Sequence, residues 1–429
     1  MIDSMLNAFK IPDLRRKLLF TFSMLVIFRF IAHVPVPGVN ADRLRDLFES
    51  NQLIGMLDLF SGGAMSSFSV AAMGVYPYIT ATIIMQLLIP MVPRLQELSK
   101  EGESGRNKIN QYMHWLTVPL AFLQALGTGS LLASEQLGVI PSFNLLAAPL
   151  PTLAIVISMT AGTMLLIWIG ELITERGIGN GISIIIFGGI VARLPSLVAQ
   201  SVFAGTNVPA LVLFFALALL IVAAIVVVQE GQRRIPVQFA KRIRGTRMYG
   251  GTTTHIPMRV NSAGMIPLIF AMSIMLFPGT VASYFVYSEN VWVANIAGFV
   301  SGVFNPAHLV YWVLYFLMVV GFTFFYTMVI FQQQNIPESL QKNGGFIPGI
   351  RPGRPTGEYL NKVLIRITWF GAVFLGLVAV MPFVAQNLTG FQAITLSSTA
   401  LLIVVGVVLD TMKQLEAQLL MRHYQGFMK

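Results

Sequence analysis

Residues 209–228, PALVLFFALALLIVAAIVVV, carry no charge and no hydrogen-bonding side chain. About 20 apolar residues in a helix match the roughly 30 Å hydrocarbon core of a bilayer, so this run predicts a membrane-spanning helix. Nine further weakly charged stretches centre on residues 18–34, 75–92, 112–132, 152–170, 180–200, 262–284, 309–331, 364–386 and 394–412. With 55% hydrophobic and only 11% charged residues among 429, and a mean hydropathy of +0.73, the chain is too apolar for a soluble globule. It reads as an all-α polytopic membrane protein with ten transmembrane helices. Arg29 interrupts the first stretch and no small-residue cleavage site follows it, which predicts an uncleaved first helix.

Residues 60–88, FSGGAMSSFSVAAMGVYPYITATIIMQLL, break the pattern in the middle. The part before Gly74 and Pro77 is small or apolar but well short of the roughly 20 residues a spanning helix needs. In hydrocarbon such a segment survives only where protein or a water-filled cavity surrounds it. Two readings stand: a re-entrant element enclosed in a cavity, or a short interfacial helix leading into an ordinary spanning helix.

Positive charge alternates from loop to loop. Lys10, Arg15, Arg16 and Lys17 precede the first stretch, and Arg94, Lys100, Arg106 and Lys108 follow the second. Seven cations lie in 229–260, and Lys342, Arg351, Arg354 and Lys362 lie in 332–362. Residues 285–307 and 387–393 hold no Lys or Arg. This asymmetry predicts an even number of helices with both termini cytoplasmic. Basic loops of this kind serve topology and anionic lipid contact. The length and turn-rich texture of 229–260 and 332–362 also suit docking of an acidic partner or ribosomal RNA. Five stretches precede residue 204 and five follow, so any repeat of the two halves, 1–203 and 204–429, would be inverted, although no residue-level repetition is visible.

Catalytic chemistry finds no support. There is no cysteine, and His33, His114, His255, His308 and His423 are scattered without metal-ligand spacing. Gly102-Glu103-Ser104-Gly105 lies in a charged loop, and Gly177-Ile178-Gly179-Asn180-Gly181 lacks the strand and lysine of a phosphate loop. No cofactor or metal is expected. A small-solute transporter is the rival reading, but it needs ionisable groups at mid-membrane. Arg29, Glu171 and Arg366 all fall near the ends of their stretches.

The segments FSGGAMS, GVYPYITATIIMQLL, KEGESGRNKINQY, GTMLLIWIGELITERGIGNGISIIIF, GQRRIPVQFAKR, RVNSAGMIPLIFA and FIPGIRPGRPTGEYL resemble, in order and over nearly the whole chain, the SecY family of protein translocon channels. The resemblance implies ten helices in two inverted five-helix halves around an hourglass pore. It implies a short re-entrant plug helix at about 61–73, to which Gly62, Gly63, Ala64, Ser66, Ser67, Ser69, Ala71 and Ala72 belong. It implies a pore ring of Val75, Ile79, Ile186, Ile269 and Ile403, with valine at Val75 where isoleucine is frequent. A ring of this kind dewets and blocks ions while offering a passing polypeptide nothing to bind.

By the same resemblance, Gln86, Gln124 and Asn261 lie at a lateral gate, where interhelical hydrogen bonds would act as a latch. Arg233, Arg234, Arg242, Arg244, Arg247 and Arg351 would dock the motor ATPase SecA or the ribosome; Gln229-Glu230 departs from the family's frequent Glu-Arg. The implied protein is a passive gated channel, not an enzyme, in the bacterial cytoplasmic membrane. It would pass unfolded secretory chains across and release transmembrane segments sideways. Implied partners are SecE-like and SecG-like small subunits, signal sequences, nascent chains and anionic lipids.

Overall fold

The computed structural model describes residues 11–40, 43–44, 61–133, 139–140, 143, 148–203, 208–239, 242–244, 247–249, 253–285, 290–389 and 397–426. The helices are α1 (Pro12–Ile31), α2 (Tyr76–Met91), α3 (Pro93–Lys100), α4 (Glu103–Ala133), α5 (Pro149–Arg176), α6 (Gly181–Phe203) and α7 (Val208–Glu230). After the strands β1 (Gln232–Phe239), β2 (Arg242–Arg244), β3 (Arg247–Tyr249) and β4 (Thr253–Arg259) come α8 (Ile266–Phe285), α9 (Val291–Val303), α10 (Leu309–Gln334) and α11 (Ile336–Lys342). Strand β5 (Gly345–Phe346), α12 (Arg354–Thr389) and α13 (Ser397–Gly426) complete the described chain. The expected join of the two halves borders 204–207, which lie outside the described residues.

A helix covers each of the ten apolar stretches. By length and composition, among the described residues, Pro149–Arg176, Leu309–Lys342 and Arg354–Met381 can cross a membrane, and α2 with α3 forms a further pair bent by 100°. The bend has a local cause. Val92 precedes Pro93, whose ring disfavours helical backbone at the residue before it, and Val92 is extended with ψ 112°.

Three expectations need correction. The fold is not wholly helical: the basic stretch after α7 forms strands. In β1, Ile235 and Val237 alternate with exposed neighbours, a period-two pattern that buries one face, and β1 lies between β4 and β5 in an antiparallel sheet. The stretch 285–307, expected as a loop, contains α9. The plug stretch is a succession of turns rather than a helix. Gly62 and Phe68 adopt left-handed backbone, φ +68° and +40°, which right-handed helix excludes.

α1 packs on α5 and α6, α5 on α4 and α6, and α10 on α12. The segments before and after the 203–208 join meet chiefly where α8 touches α2 and α4, and where α13 touches α6.

Candidate functional site

Four helices carry the five side chains expected to form a ring. Val75 caps α2 and Ile79 follows one turn later; Ile186 comes from α6, Ile269 from α8 and Ile403 from α13. None is more than 7% exposed, and all five belong to one continuous hydrophobic cluster. Residues from both halves of the chain thus contribute to one buried hydrophobic cluster, and the five side chains themselves carry no donor, acceptor or charge.

The turn-built stretch from Ser61 to Val75 straddles this cluster and a second one. Ala64, Ala71 and Val75 join the ring cluster, whereas Met65, Phe68, Ala72 and Met73 pack with residues of α4 and α5. Its backbone is tied to the chain after α1: Val36 N–H donates to the Phe68 carbonyl at 3.0 Å and Val70 N–H to the Val34 carbonyl at 2.9 Å. The Ser67 hydroxyl donates to the Ala32 carbonyl at 3.0 Å, and the Ser66 hydroxyl to Gly63 at 2.8 Å. Ser69 is buried and pairs with Pro35 as an isolated bridge.

Two contacts at Gly62 went unnoticed in the sequence. The Arg29 guanidinium donates to the Gly62 carbonyl at 2.8 Å. A Cβ on Gly62 would also stand 2.7 Å from Gly189 Cα on α6, so backbone touches backbone there and a larger residue forces separation.

At the seam between α2 and α8, the expected gate residues leave side-chain oxygens without partners. Gln86 Oε1, Gln124 Oε1 and Asn261 Oδ1 are buried without a hydrogen-bond partner among the described residues. Asn261 Nδ2 donates locally to the Gly264 carbonyl at 2.9 Å, in the turn before α8, and the Gln86 side chain reaches the Tyr326 hydroxyl on α10. The bond that does cross from α2 to α8 belongs to Tyr76, whose hydroxyl donates to the Ser273 carbonyl at 3.0 Å. An interhelical hydrogen bond in a membrane protein contributes about 0.6–2 kcal/mol, so Tyr76→Phe should shift a closed–open equilibrium toward open by a factor of roughly 3 to 30. Disulfide trapping between cysteines placed on α2 and α8 measures that shift; an unchanged trapping rate removes Tyr76 as a latch.

A polar unit also lies on the far side of α2. His114 Nε2 on α4 meets Glu171 Oε1 on α5 at 3.0 Å, and the Tyr78 ring stands edge-on to His114 at 5.9 Å between centroids. These residues looked unrelated in sequence because they lie on three helices.

The two basic loops converge. β5 of the second pairs with β1 of the first through Gln238 opposite Phe346 and Phe239 opposite Gly345. Beneath that sheet, Ile235, Val237, Met258, Ile347, Leu360 and Val363 share one small core. Arg233 and Arg234 lie exposed on β1; Arg242 and Arg244 are in β2 and Arg247 in β3. Arg351 is exposed in the turn between Gly349 and Gly353, both left-handed, and its carbonyl accepts from the Thr356 hydroxyl at 2.8 Å. The base of the unit is fastened by Lys413 Nζ of α13 to Glu230 Oε1 of α7 at 2.7 Å.

Known proteins resemble this chain in sequence and in fold. The chain is 45% identical to the protein translocase subunit SecY of Streptomyces scabiei and 44% identical to that of Thermotoga maritima, each over at least 97% of both chains. Its fold matches a solved SecY structure, described as one in which the plug domain stabilises the closed state of the translocation channel and maintains a membrane seal. That match has a TM-score of 0.66 at 16% identity over 94% of this chain and 92% of the other. It also matches Sec61 in a canine ribosome–channel complex from the endoplasmic reticulum, at a TM-score of 0.61 and 17% identity over 94% and 92% of the two chains. A sequence model described as SecY covers residues 69–412, a block that runs from the latter half of the turn-built stretch into α13 as far as Met412 and takes in both basic loops, and the chain belongs to the SecY family.

Proposed function

We propose that this chain is the pore-forming subunit of a protein translocase: a passive gated channel in the bacterial cytoplasmic membrane. Ten spanning helices in two inverted halves, 1–203 and 204–429, surround the ring of Val75, Ile79, Ile186, Ile269 and Ile403, with both termini in the cytoplasm. The single observation that carries this reading is the burial of those five aliphatic side chains, delivered by four helices, within one hydrophobic cluster. A narrow apolar waist holds back water and ions yet gives a sliding polypeptide no bond to break.

The stretch from Ser61 to Met73 is the plug. Its contacts suit a removable seal: mostly small side chains, main-chain pairing at Pro35 and Ser69, and one charged hydrogen bond from Arg29. Gln86, Gln124 and Asn261 mark the lateral gate beside Tyr76. Their unmet buried carbonyl oxygens each cost about 1–3 kcal/mol of lost hydration in the closed state. That cost opposes the Tyr76 latch and weakens the closed seam, which lowers what an entering signal sequence must supply to part it.

The sheet unit carrying Arg233, Arg234 and Arg351, with Arg242, Arg244 and Arg247 on its hairpin, docks the SecA motor or ribosomal RNA. The ribosome-bound state of structural relatives supports the second of these. SecE-like and SecG-like subunits and anionic lipids complete the assembly. The chain does no chemistry; force comes from the docked motor or from translation.

A stalled secretory chain is the test. With a photo-crosslinking side chain at Ile79 or Ile403, the stalled chain should be captured, whereas the same probe at exposed Leu377 on α12 should capture lipid. Capture at Leu377 and none at the two ring positions sinks the channel reading.

A further inference from the structure

Helix α9 is built inside out. It runs Val291–Val303, VWVANIAGFVSGV, with no charged residue. At 100° per residue, Trp292, Val293, Ile296, Phe299, Val300 and Val303 fall on one half of the surface; apart from Val291 at its first position, the other half holds Ala294, Asn295, Ala297, Gly298, Ser301 and Gly302. On a water-facing helix the bulky half turns inward. Here Trp292 is 81% exposed, Phe299 74% and Ile296 61%, while the buried residue of the helix is Ala297. The helix packs on α8, Ala297 of its small half is buried, and Trp292, Ile296 and Phe299 of its aromatic half stand exposed.

The length limits what covers that face. Thirteen residues extend about 20 Å, too short for the roughly 30 Å hydrocarbon core. The chain continues after one turn into α10, whose Leu309, Val310, Val313 and Leu317 are likewise exposed and fall on one aliphatic face of that helix. We infer that α9 is an interfacial helix whose Trp292–Ile296–Phe299 face is buried among the acyl chains and headgroup boundary of the bilayer. On the topology proposed above, on which this inference rests, the leaflet is the external one. The Trp at its first turn suits the headgroup level, and the Asn290 side chain closes that end by accepting from the Trp292 N–H at 3.2 Å. Because α9 packs on α8, lipid contact at α9 fixes the height of the gate helix and leaves it free to move only in the membrane plane.

The chain lacks cysteine, so single-cysteine probes are clean. Ile296→Cys, and separately Trp292→Cys, would be labelled with an environment-sensitive fluorophore in the complete complex reconstituted in liposomes; Leu317→Cys on α10 serves as the lipid-facing reference. The expected result is strong quenching of both α9 probes by phospholipid spin-labelled near the headgroup, weaker quenching by label deep in the acyl chain, and almost none by aqueous iodide. Iodide quenching of the α9 probes places the helix in water, and protection from both quenchers places it under another subunit; either overturns the inference. If the Leu317 reference also fails to respond to lipid-borne label, the membrane topology itself is wrong, which separates the two failures.

Discussion

Replacing Ile79 and Ile186 together with asparagine should open a standing ion leak through the empty, unengaged complex. Both side chains lie in the shared aliphatic cluster, 7% and 3% exposed, on α2 and α6. An apolar constriction stays dry because water inside it finds no partner. Each buried polar group is worth about 1–3 kcal/mol relative to an apolar surrounding, so two asparagines lower the cost of a wetted waist enough to raise resting conductance by roughly 30-fold or more. On the proposed function, the 61–73 stretch opposes that leak. Adding Gly189→Leu should multiply it, because even a Cβ at Gly189 would stand 2.4 Å from Gly62 Cα and must push the plug stretch off α6. Efflux from potassium-loaded proteoliposomes reads both effects. If the ring were an ordinary packed core, the same asparagines would lower the yield of folded complex with no leak in what remained; Ile79→Leu, which keeps the site apolar, is the control and should leave both conductance and yield intact.

Much of this was legible before any coordinates, and the pattern of what was missed follows range. The apolar stretches mark helices because a helix declares itself within its own residues, as 209–228 does. The break at Gly74 and Pro77 was visible for the same reason. The ring positions came through family resemblance, since nothing local distinguishes Ile186 from Ile184 or Ile185, which are buried in the same cluster. The turns of the plug were not readable. Its alanines and serines suit a helix, and what decides against one is tertiary: pairing with Val34 and Val36, and the approach of Gly189. The strand pairing of β1 with β5 joins two loops separated by three helices, α8, α9 and α10, with only two residues of β5 to signal it. Helix α9 was hidden because an uncharged, short stretch reads as a loop when only spanning length is sought. Tyr76 was missed for a further reason: residue type gives hydrogen-bonding capacity, while only the fold brings the Tyr76 hydroxyl to the Ser273 carbonyl.

Arg351→Glu should abolish motor- or ribosome-driven transport while the chain still inserts and folds. The side chain is exposed in the 349–353 turn, and what that turn supplies to the fold is main chain, including the carbonyl that accepts from Thr356, together with Ile350, which packs on the sheet core. Reversing the charge therefore removes nothing the protein's own packing uses. It does change what a docking partner meets. With β1 and β5 paired, Arg351 belongs to the same rigid unit as Arg233 and Arg234, and an acidic partner engaging that unit loses one attraction and gains one repulsion. Disrupting a charge at such an interface costs about 2–5 kcal/mol, roughly 30-fold to several thousand-fold in affinity, and the loss grows as salt is lowered. Translocation of a secretory precursor into inverted vesicles measures transport, and co-sedimentation with SecA or with ribosomes measures docking. Arg351→Lys should retain most of both. Transport at the parental rate by Arg351→Glu would remove this turn from the docking surface. A loss of transport with docking unchanged would instead move its role downstream, to passing the motor's push through the Lys413–Glu230 fastening to α13 and the ring residue Ile403.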